Sequence, residues 1–277
     1  MKKLICFLLC MVMTFCFVGC SATNYKKNND QQTEEEVSLN ESFVDDIKAR
    51  GYLVVGCKMD VPELSYYDAD TDTWSGLEIE LAYKTAAHLF ETTTEDAKAR
   101  GLVHFTGVTV ANREMMLASG DIDLMLATFT ITDERSKKYA FSDSYYTDYV
   151  GIMVVDYGRD ADTLGGQGIK SIADLDGKYI GVPRNATTRE DFMNYIETMT
   201  VVDVQPIFCE YEEYTILKKA LMDGNIDAFA VDVSILNGYD DENTLILNER
   251  FAGQHYGAAV LKENAGLLTY VNQAIAE

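Results

Sequence analysis

Two stretches of the chain repeat one pattern of apolar and polar positions. Five residues recur at the same spacing: Leu117, Gly120, Ile122, Asp123 and Ala127 are matched by Leu221, Gly224, Ile226, Asp227 and Val231. In each copy a helical periodicity ends at a glycine, and the short apolar run that follows is long enough for one buried parallel strand. Because helix, glycine and strand often follow one another, a chance match is the alternative to two similar α/β lobes.

A polar residue follows each apolar run, namely Thr128 in the first copy and Asp232 in the second. Open parallel sheets bind ligands at the carboxyl ends of their strands. Two lobes that present these residues at their strand ends would therefore enclose a cleft between them.

The remaining periodicity predicts strands that alternate with helices in both halves of the chain. We expect strands at 52–58, 103–108, 179–182, 204–209 and 256–261, and helices at 43–50, 76–90, 113–119, 214–222 and 268–275. Thr132 is placed to cap a short helix, and Thr187 with Glu190 has the spacing of a capping box. This order favours two parallel-sheet lobes over one large sheet, with an extended run at 149–155 passing between them and a return strand near residue 256.

The N-terminus reads as an export signal rather than as part of a fold. Lys2 and Lys3 precede an apolar run that ends at Gly19 and Cys20. We expect residues 1–19 to be removed and Cys20 to be lipid-modified, as in a bacterial lipoprotein, although Phe17 stands where Leu is usual. Plain secretion is the alternative. Residues 20–38 have almost no apolar residues and are predicted to form a flexible tether between the membrane and an extracytoplasmic domain.

Composition and charge narrow the possible functions. The 277 residues are 47% hydrophobic, enough for a sizeable core and about two domains. Without residues 1–19 the chain has 21 basic and 45 acidic residues, a formal charge of −24, which excludes nucleic acid as a partner. Cys57 and Cys209 lie in apolar, strand-like runs and are predicted to be buried free thiols, with a disulfide between them left open. The spacing of His, Cys and acidic residues predicts neither a metal site nor a cofactor.

Six segments of the chain match a known family in the right order: YLVVGCKMDVP, SGLEIELA, SGDIDLMLATFTITDERSKKYAFSDSYY, LDGKYIGVPRNATT, GNIDAFAVDVSILNGY and QHYGAAV. From about residue 43 to residue 277 the chain resembles the extracellular solute-binding proteins of polar amino-acid ABC importers (solute-binding protein family 3), and it is most similar to the aspartate/glutamate-binding members. The resemblance implies a two-lobe α/β fold of the periplasmic-binding-protein type II, with a two-strand hinge and a ligand cleft. Lobe 1 would comprise residues 39–149 and 252–277, and lobe 2 residues 150–251. Leu64 departs from the family, because relatives often place there an aromatic residue that packs against the ligand.

The resemblance also assigns the two poles of an amino-acid ligand. Arg135 would bind the α-carboxylate, for which a bidentate guanidinium suits better than Lys, and Asp232 would bind the ammonium group. Thr128 and Thr130 would supply a main-chain carbonyl to the ammonium and a hydroxyl to the carboxylate. Each assignment has an ordinary alternative: a surface arginine paired with a neighbouring acid, a capping carboxylate, and plain strand threonines.

The second lobe and the ligand side chain involve five further residues. Thr187 and Thr188 begin a helix whose free N–H groups suit a carboxylate, with capping alone as the alternative. Lys58 and Arg113 match basic residues of the dicarboxylate-binding relatives, with a solvated surface as the alternative. Lys58, Arg113 and Arg135 together carry three positive charges, and Asp232 carries one negative charge. The resulting surplus of two positive charges favours aspartate or glutamate as the ligand. Tyr214 would cover the ligand or serve as a core aromatic.

The resemblance implies a binding protein that catalyses no reaction. A lipid-anchored monomer would close its two lobes on an acidic amino acid and deliver it to the membrane permease of an ABC importer. Glutamine or another polar amino acid is the alternative ligand, and an extracellular amino-acid sensor is an alternative function. A dehydratase-like enzyme of the same fold is disfavoured, because His88, His104 and His255 are isolated in the sequence.

Overall fold

The computed structural model describes residues 42–156, 168–199 and 204–277. The predicted export signal (1–19), the lipidation site Cys20 and the tether (20–38) lie outside these residues. The first described element is helix α1 at 42–50, which ends at Gly51, where a φ of +85° suits a residue without a Cβ. Within the described ranges, no helix is long and apolar enough to span a bilayer.

The first lobe is built on three parallel strands. Strand β1 (Leu53–Lys58) lies in the middle, and β5 (Val103–Val108) and β6 (Leu124–Leu126) pair with it on either side. A separate small antiparallel sheet follows β1 and consists of β2 (Asp60–Val61), β3 (Ser65–Asp68) and β4 (Thr73–Ser75). The helices of this lobe are α2 (Leu77–Leu89), α3 (Thr94–Ala99), α4 (Arg113–Ser119) and α5 (Asp133–Ser136).

Two long antiparallel strands join this lobe to the second one. Strand β7 (Tyr139–Val155) pairs with β12 (Phe251–Leu261) along residues 139–150, and with the second lobe along residues 150–155. After β12 the chain makes a 3-10 turn (Lys262–Leu267) and ends with α9 (Leu268–Ile275), which packs against α2 of the first lobe. The predicted return strand is therefore confirmed.

The second lobe repeats the arrangement of the first. Strand β8 (Tyr179–Pro183) lies between β9 (Ile207–Tyr211) and β10 (Ala228–Asp232), and pairs with both in parallel. Its helices are α6 (Thr188–Thr198), α7 (Tyr214–Met222) and α8 (Val233–Tyr239), and the short β11 (Thr244–Ile246) pairs with β7.

The strands of both lobes form one hydrogen-bonded sheet in the order β5-β1-β6-β12-β7-β10-β8-β9. The expectation of two separate parallel sheets is wrong in this respect. The outer strands of each lobe are parallel, as predicted, but the antiparallel ladder of β7 and β12 makes the sheet continuous through the hinge.

The aspartates of the sequence repeat have the same role in each lobe. Asp123 Oδ2 accepts a hydrogen bond from the backbone N–H of Val54 at 2.8 Å, and Asp227 Oδ2 accepts one from that of Tyr179 at 2.8 Å. Each carboxylate therefore fixes the residue at the start of the first strand of its lobe.

The isoleucines of the repeat also have equivalent surroundings. A Cβ placed on Gly56 of β1 would lie 2.4 Å from Ile122 Cδ1, and one placed on Gly181 of β8 would lie 2.4 Å from Ile226 Cδ1. In both lobes the isoleucine thus fills the space over a glycine of the first strand. The repeat reflects a shared packing unit, and the chance alternative is excluded.

Each lobe has its own apolar core, and a further cluster crosses the cleft between them. Val61, Leu64 and Val110 of the first lobe pack with Tyr214 and Tyr239 of the second. The lobes are therefore in contact across the cleft. Both cysteines expected in the folded part are free thiols, as predicted; Cys57 is buried and Cys209 is half-buried.

Candidate functional site

The predicted binding residues lie where the two lobes face each other. Lys58 is the last residue of β1, Thr128 follows β6, and Asp232 is the last residue of β10. These are carboxyl ends of parallel strands, where side chains leave the sheet and converge on a crevice. Helix starts and loops supply the others: Arg113 begins α4, Arg135 lies in α5, Thr187 precedes α6, Thr188 begins α6, Tyr214 begins α7, and Thr130 bridges to Tyr256 of β12.

Burial excludes several of the ordinary alternatives. Lys58 is 1% exposed, Arg113 is 3% exposed and Arg135 is 8% exposed, so none of them is a solvated surface residue. The other predicted residues are also buried, except Thr187, which is half-buried. Because burying a charge is costly unless it is compensated, the surroundings of each cation decide what the site can bind.

Two guanidinium groups lie over the ring of Phe129. The Cζ atoms of Arg135 and Arg113 are 4.1 and 4.6 Å from the ring centroid, within the range of cation–π contacts. Arg135 Nη1 donates to the carbonyl oxygen of Thr130 at 2.8 Å, and Nη2 donates to that of Asn185 at 3.4 Å. Burial, followed by repulsion from Arg113, lowers the pKa of Arg135 to about 9. The group is still charged at neutral pH, and a carboxylate beside it would favour that charge.

Asp232 supplies the opposite charge from the second lobe. Its carboxylate accepts a hydrogen bond from the hydroxyl of Tyr256. Burial raises the pKa of Asp232 to about 7, and the carboxylates of Asp148 and Asp191 act in the same direction. Asp232 also acts on the pKa of Arg135, which places both groups in one electrostatic environment. An ammonium group beside Asp232 would favour its ionised form.

Lys58 has partners that the sequence analysis did not count. Its Nζ lies 2.8 Å from Asp60 Oδ1 and 4.4 Å from the ring centroid of Tyr214, which therefore covers this lysine. Burial lowers the pKa of Lys58, and Asp60 opposes that shift. The expected surplus of two positive charges is wrong, because Asp60 and a second carboxylate, Glu78, stand beside the cations.

Glu78 lies in the first turn of α2 and is fully buried. Its Oε1 accepts hydrogen bonds from the backbone N–H of Thr128 at 2.7 Å and from the hydroxyl of Tyr145 at 2.5 Å. Burial raises the pKa of Glu78, while Tyr145, Thr128, Arg113 and Lys58 lower it. The charge of the cleft therefore depends on whether this carboxyl group carries a proton.

Thr128 has a strained backbone that these contacts hold in place. Its φ is +46°, a conformation that is costly for a β-branched residue and that clusters at functional sites. Arg113 Nη1 donates to the carbonyl oxygens of Ala127 at 2.5 Å and Thr128 at 3.3 Å. Around this strained turn, Glu78 Oε2, Arg113 Nε and Thr128 Oγ1 are buried with no hydrogen-bond partner in the described part of the chain. A ligand that supplies partners would offset a cost of about 1–3 kcal/mol for each such atom.

The capping-box prediction at the start of α6 is wrong. Thr187 precedes the helix, but its hydroxyl makes no capping hydrogen bond and instead donates to Gln254 Oε1 at 3.2 Å. Glu190 is exposed. The hydroxyl of Thr187 is thus directed into the cleft, towards strand β12.

A cavity of about 830 Å³ opens from this region between the lobes. Val110 and Arg135 line it from the first lobe, and Asn185, Thr187 and Asp191 line it from the second. Residues of both lobes therefore surround one space, and of the nine predicted binding residues only Arg135 and Thr187 line it.

Sequence reasoning missed four residues of the site. Gln254 and Tyr256 lie in the QHYGAAV segment, and their polar groups are buried. Asp60 lies in the YLVVGCKMDVP segment and Glu78 in the SGLEIELA segment, where Glu78 falls on the buried face of α2 together with Ala82. That inward position was an available signal, because an acid on the apolar face of a helix needs a partner.

Comparison with known proteins identifies relatives of this arrangement. The family described as bacterial extracellular solute-binding proteins, family 3, matches residues 53–277. The glutamine-binding protein of Geobacillus stearothermophilus is 26% identical, over 92% of this chain and 90% of its own. The L-cystine-binding protein TcyJ of Escherichia coli (strain K12) is 31% identical, over 86% of this chain and 81% of its own. The structure of an ancestral arginine-binding protein bound to glutamine is 28% identical, covers 82% of this chain and 91% of its own, and superposes with a TM-score of 0.64.

Proposed function

The chain belongs to the bacterial extracellular solute-binding proteins of family 3, and we propose that it binds an amino acid for an ABC importer. The observation that carries this proposal is the opposition of Arg135 in the first lobe and Asp232 in the second, both buried at the cleft. Arg135 binds the α-carboxylate and Asp232 binds the ammonium group of the ligand. Because both poles are engaged only when the lobes meet, binding favours the closed form.

The charges of the cleft favour a ligand whose side chain is polar but uncharged. Lys58, Arg113 and Arg135 face the carboxylates of Asp60, Glu78 and Asp232, and the carboxylates of Asp148 and Asp191 also act on Asp232. No cation is therefore left over for an acidic side chain, and a neutral side chain needs none. The glutamine-binding relative, which covers nearly the whole chain, supports the same class of ligand.

An acidic amino acid is the second candidate, and one observation favours it. Glu78 is fully buried, and burial raises its pKa. A protonated Glu78 no longer opposes Arg113 and Lys58, which could then pair with the side-chain carboxylate of glutamate or aspartate. Binding of such a ligand would in turn favour the protonated form of Glu78.

Three further features of the protein belong to this proposal. Residues 1–19 direct export, and a lipid on Cys20 holds the protein at the outer face of the cell membrane, where it meets the permease as a monomer. Mass spectrometry of the protein from cells tests the anchor, because a diacylglycerol on Cys20 raises the mass of the processed chain.

The lobes divide at residues 149/150 and 251/252. At the first of these boundaries β7 passes from pairing with β12 to pairing with β10.

Ligand binding accounts for the arrangement of the described residues without a catalytic step. Members of this family are solute-binding proteins. The three histidines have separate partners: His88 contacts Glu277, His104 stacks on Tyr52, and His255 contacts Thr147.

A thermal-shift screen of the twenty amino acids and cystine tests the proposed function. A ligand that binds only the folded protein raises the melting temperature. We expect the largest shift from a neutral polar amino acid, and a shift from glutamate or aspartate that grows as the pH falls towards about 7, the pKa of Asp232. A protein whose melting temperature responds to none of these ligands would contradict the proposal.

A further inference from the structure

Gln254 makes four hydrogen bonds at the centre of the hinge. The residue lies in β12 and is 2% exposed. Its Oε1 accepts from the hydroxyls of Thr130 at 2.7 Å and Thr187 at 3.2 Å. Its Nε2 donates to Asp191 Oδ2 at 3.0 Å and to the carbonyl oxygen of Ala252 at 3.0 Å. Because a carboxylate and a carbonyl only accept, the amide has one orientation that satisfies every partner.

The partners of Gln254 come from both lobes. Thr130 follows β6 in the first lobe, whereas Thr187 and Asp191 belong to the start of α6 in the second. Thr130 is also a direct contact of Arg135, whose Nη1 donates to its carbonyl oxygen at 2.8 Å. A continuous chain of hydrogen bonds therefore runs from Asp191 through Gln254 and Thr130 to the carboxylate-binding arginine.

These contacts change the roles expected for the two threonines. A hydroxyl group has one proton to donate, and Thr130 and Thr187 both direct theirs to Gln254 Oε1. Towards the ligand they present only lone pairs, which suit an ammonium group and repel a carboxylate. In this arrangement the hydroxyl of Thr130, which is predicted to bind the carboxylate, already donates its proton to Gln254. Arg135 and the free N–H groups at the start of α6 are left for that task.

We propose that Gln254 is a positioning residue that latches the two lobes together and holds Arg135 in its binding geometry. The latch joins β12, the loop after β6 and the start of α6, so its bonds form only when the lobes meet. Its strength sets the fraction of the protein in the closed form, and thereby the affinity for every ligand alike. A residue that contacts the ligand side chain would instead change affinities selectively.

A swap of donor and acceptor tests the latch. Gln254→Glu keeps the shape of the side chain but places a carboxylate against Asp191. We expect affinity to fall about tenfold or more, the scale of one lost hydrogen bond to a buried charge. The double variant Gln254→Glu with Asp191→Asn restores a donor–acceptor pair and the original net charge, and we expect it to recover most of the affinity. Calorimetric titration with three ligands of the panel measures both effects.

Matched variants keep the test independent of folding. Gln273→Glu makes the same substitution on the exposed face of α9 and is expected to leave affinity unchanged. Equal fold-changes for all ligands support the latch, whereas losses that differ between ligands would overturn it. A double variant that binds no better than Gln254→Glu, at an unchanged melting temperature, would also overturn it.

The predicted effect of the latch on affinity rests on the proposed function, but its effect on lobe closure does not. A measurement on the ligand-free protein therefore tests the latch separately. We expect small-angle X-ray scattering of the ligand-free protein to give a larger radius of gyration for Gln254→Ala than for the unsubstituted chain. This readout stands even if no amino acid in the panel binds. Identical scattering curves would overturn the latch and leave the proposed function untouched.

Discussion

At the scale of single residues, Asp232 is expected to make ligand binding depend on pH. Burial raises its pKa to about 7 in the ligand-free protein. A bound ammonium group favours the ionised carboxylate and so lowers that pKa. Affinity should therefore be constant above about pH 7 and fall by up to tenfold per pH unit below it, since a proton must leave before the ligand binds.

Calorimetry of the tightest ligand of the panel between pH 5 and pH 8 measures this slope. In that range the α-carboxyl group of the ligand stays ionised, and its α-amino group begins to lose a proton only near the upper end. Asp232→Asn should weaken binding by at least about thirtyfold at pH 8 and flatten the profile. A flat profile in the unsubstituted protein would show that Asp232 does not bind the ammonium group.

We expect Glu78 to influence which charge of ligand side chain the cleft accepts. Glu78→Gln removes its negative charge but keeps an oxygen that can accept from Thr128 N and the Tyr145 hydroxyl. We expect the variant to bind glutamate more tightly relative to glutamine, by about tenfold for one buried charge contact. Titration of the unsubstituted protein at pH 8, where Asp232 is already ionised, in two buffers of different ionisation enthalpy should show proton uptake with glutamate and none with glutamine. An unchanged preference in the variant would remove Glu78 from the specificity site.

Some of these residues were predictable from the sequence and others were not. Thr128 and Asp232 were predictable because each directly follows an apolar run, and a strand end is a local feature. Glu78 was not recognised, because an acid in the first turn of a helix ordinarily serves the helix dipole. Its burial arises from contact with the loop after β6, which is distant in sequence.

At the scale of elements, the approach of α8 to the first lobe limits closure. A Cβ on Gly238 of α8 would lie 2.7 Å from Pro62 Cδ, an atom of a rigid ring in the opposite lobe. Gly238→Ala should therefore hold the lobes apart and weaken every ligand by about tenfold, within the range of overpacking costs. Helix α8 itself should gain stability, because Ala is a better helix former than Gly.

Ligand titrations and thermal unfolding of the ligand-free protein distinguish these two effects. Adding Pro62→Ala removes the ring and should restore affinity in the double variant. If Gly238→Ala lowers the melting temperature and leaves affinity unchanged, the contact is not a limit on closure.

Several helices and strands with regular periodicity were predicted accurately, whereas the strand expected at 204–209 lies at Ile207–Tyr211. The bounds of α4, α7 and β5 agree with the expected ranges. The first half of β12 was missed, because register shifts near Gly253 and Gly257 interrupt the alternation that identifies a strand. The short α3, α8 and β11 were also missed, since they carry too few turns or residues for a periodic signal.

At the scale of the whole molecule, ligand binding should stabilise both lobes together. One continuous sheet passes through the hinge, and a shared apolar cluster spans the cleft. A ligand at a hundred times its dissociation constant adds about 2.7 kcal/mol to the free energy of unfolding. For a chain of this size the melting temperature should rise by about 5–10 °C.

Differential scanning calorimetry checks this expectation in a ligand dilution series. The shift should grow with the logarithm of the ligand concentration, in a single transition. Two transitions, of which only one responds to the ligand, would mean that the lobes unfold independently.

The sequence by itself determined the local elements, the repeated packing unit and the strand ends that face the cleft, whereas the poles proposed for the ligand, Arg135 and Asp232, came from the resemblance to the family. The first three features depend on neighbours within a few residues, so their periodicity and spacing are visible in one dimension. Only the tertiary structure decided the charge balance of the cleft and the bonds of Gln254. Both depend on side chains from β2, α2, α6 and β12, which are far apart along the chain and meet only when the lobes are folded against each other.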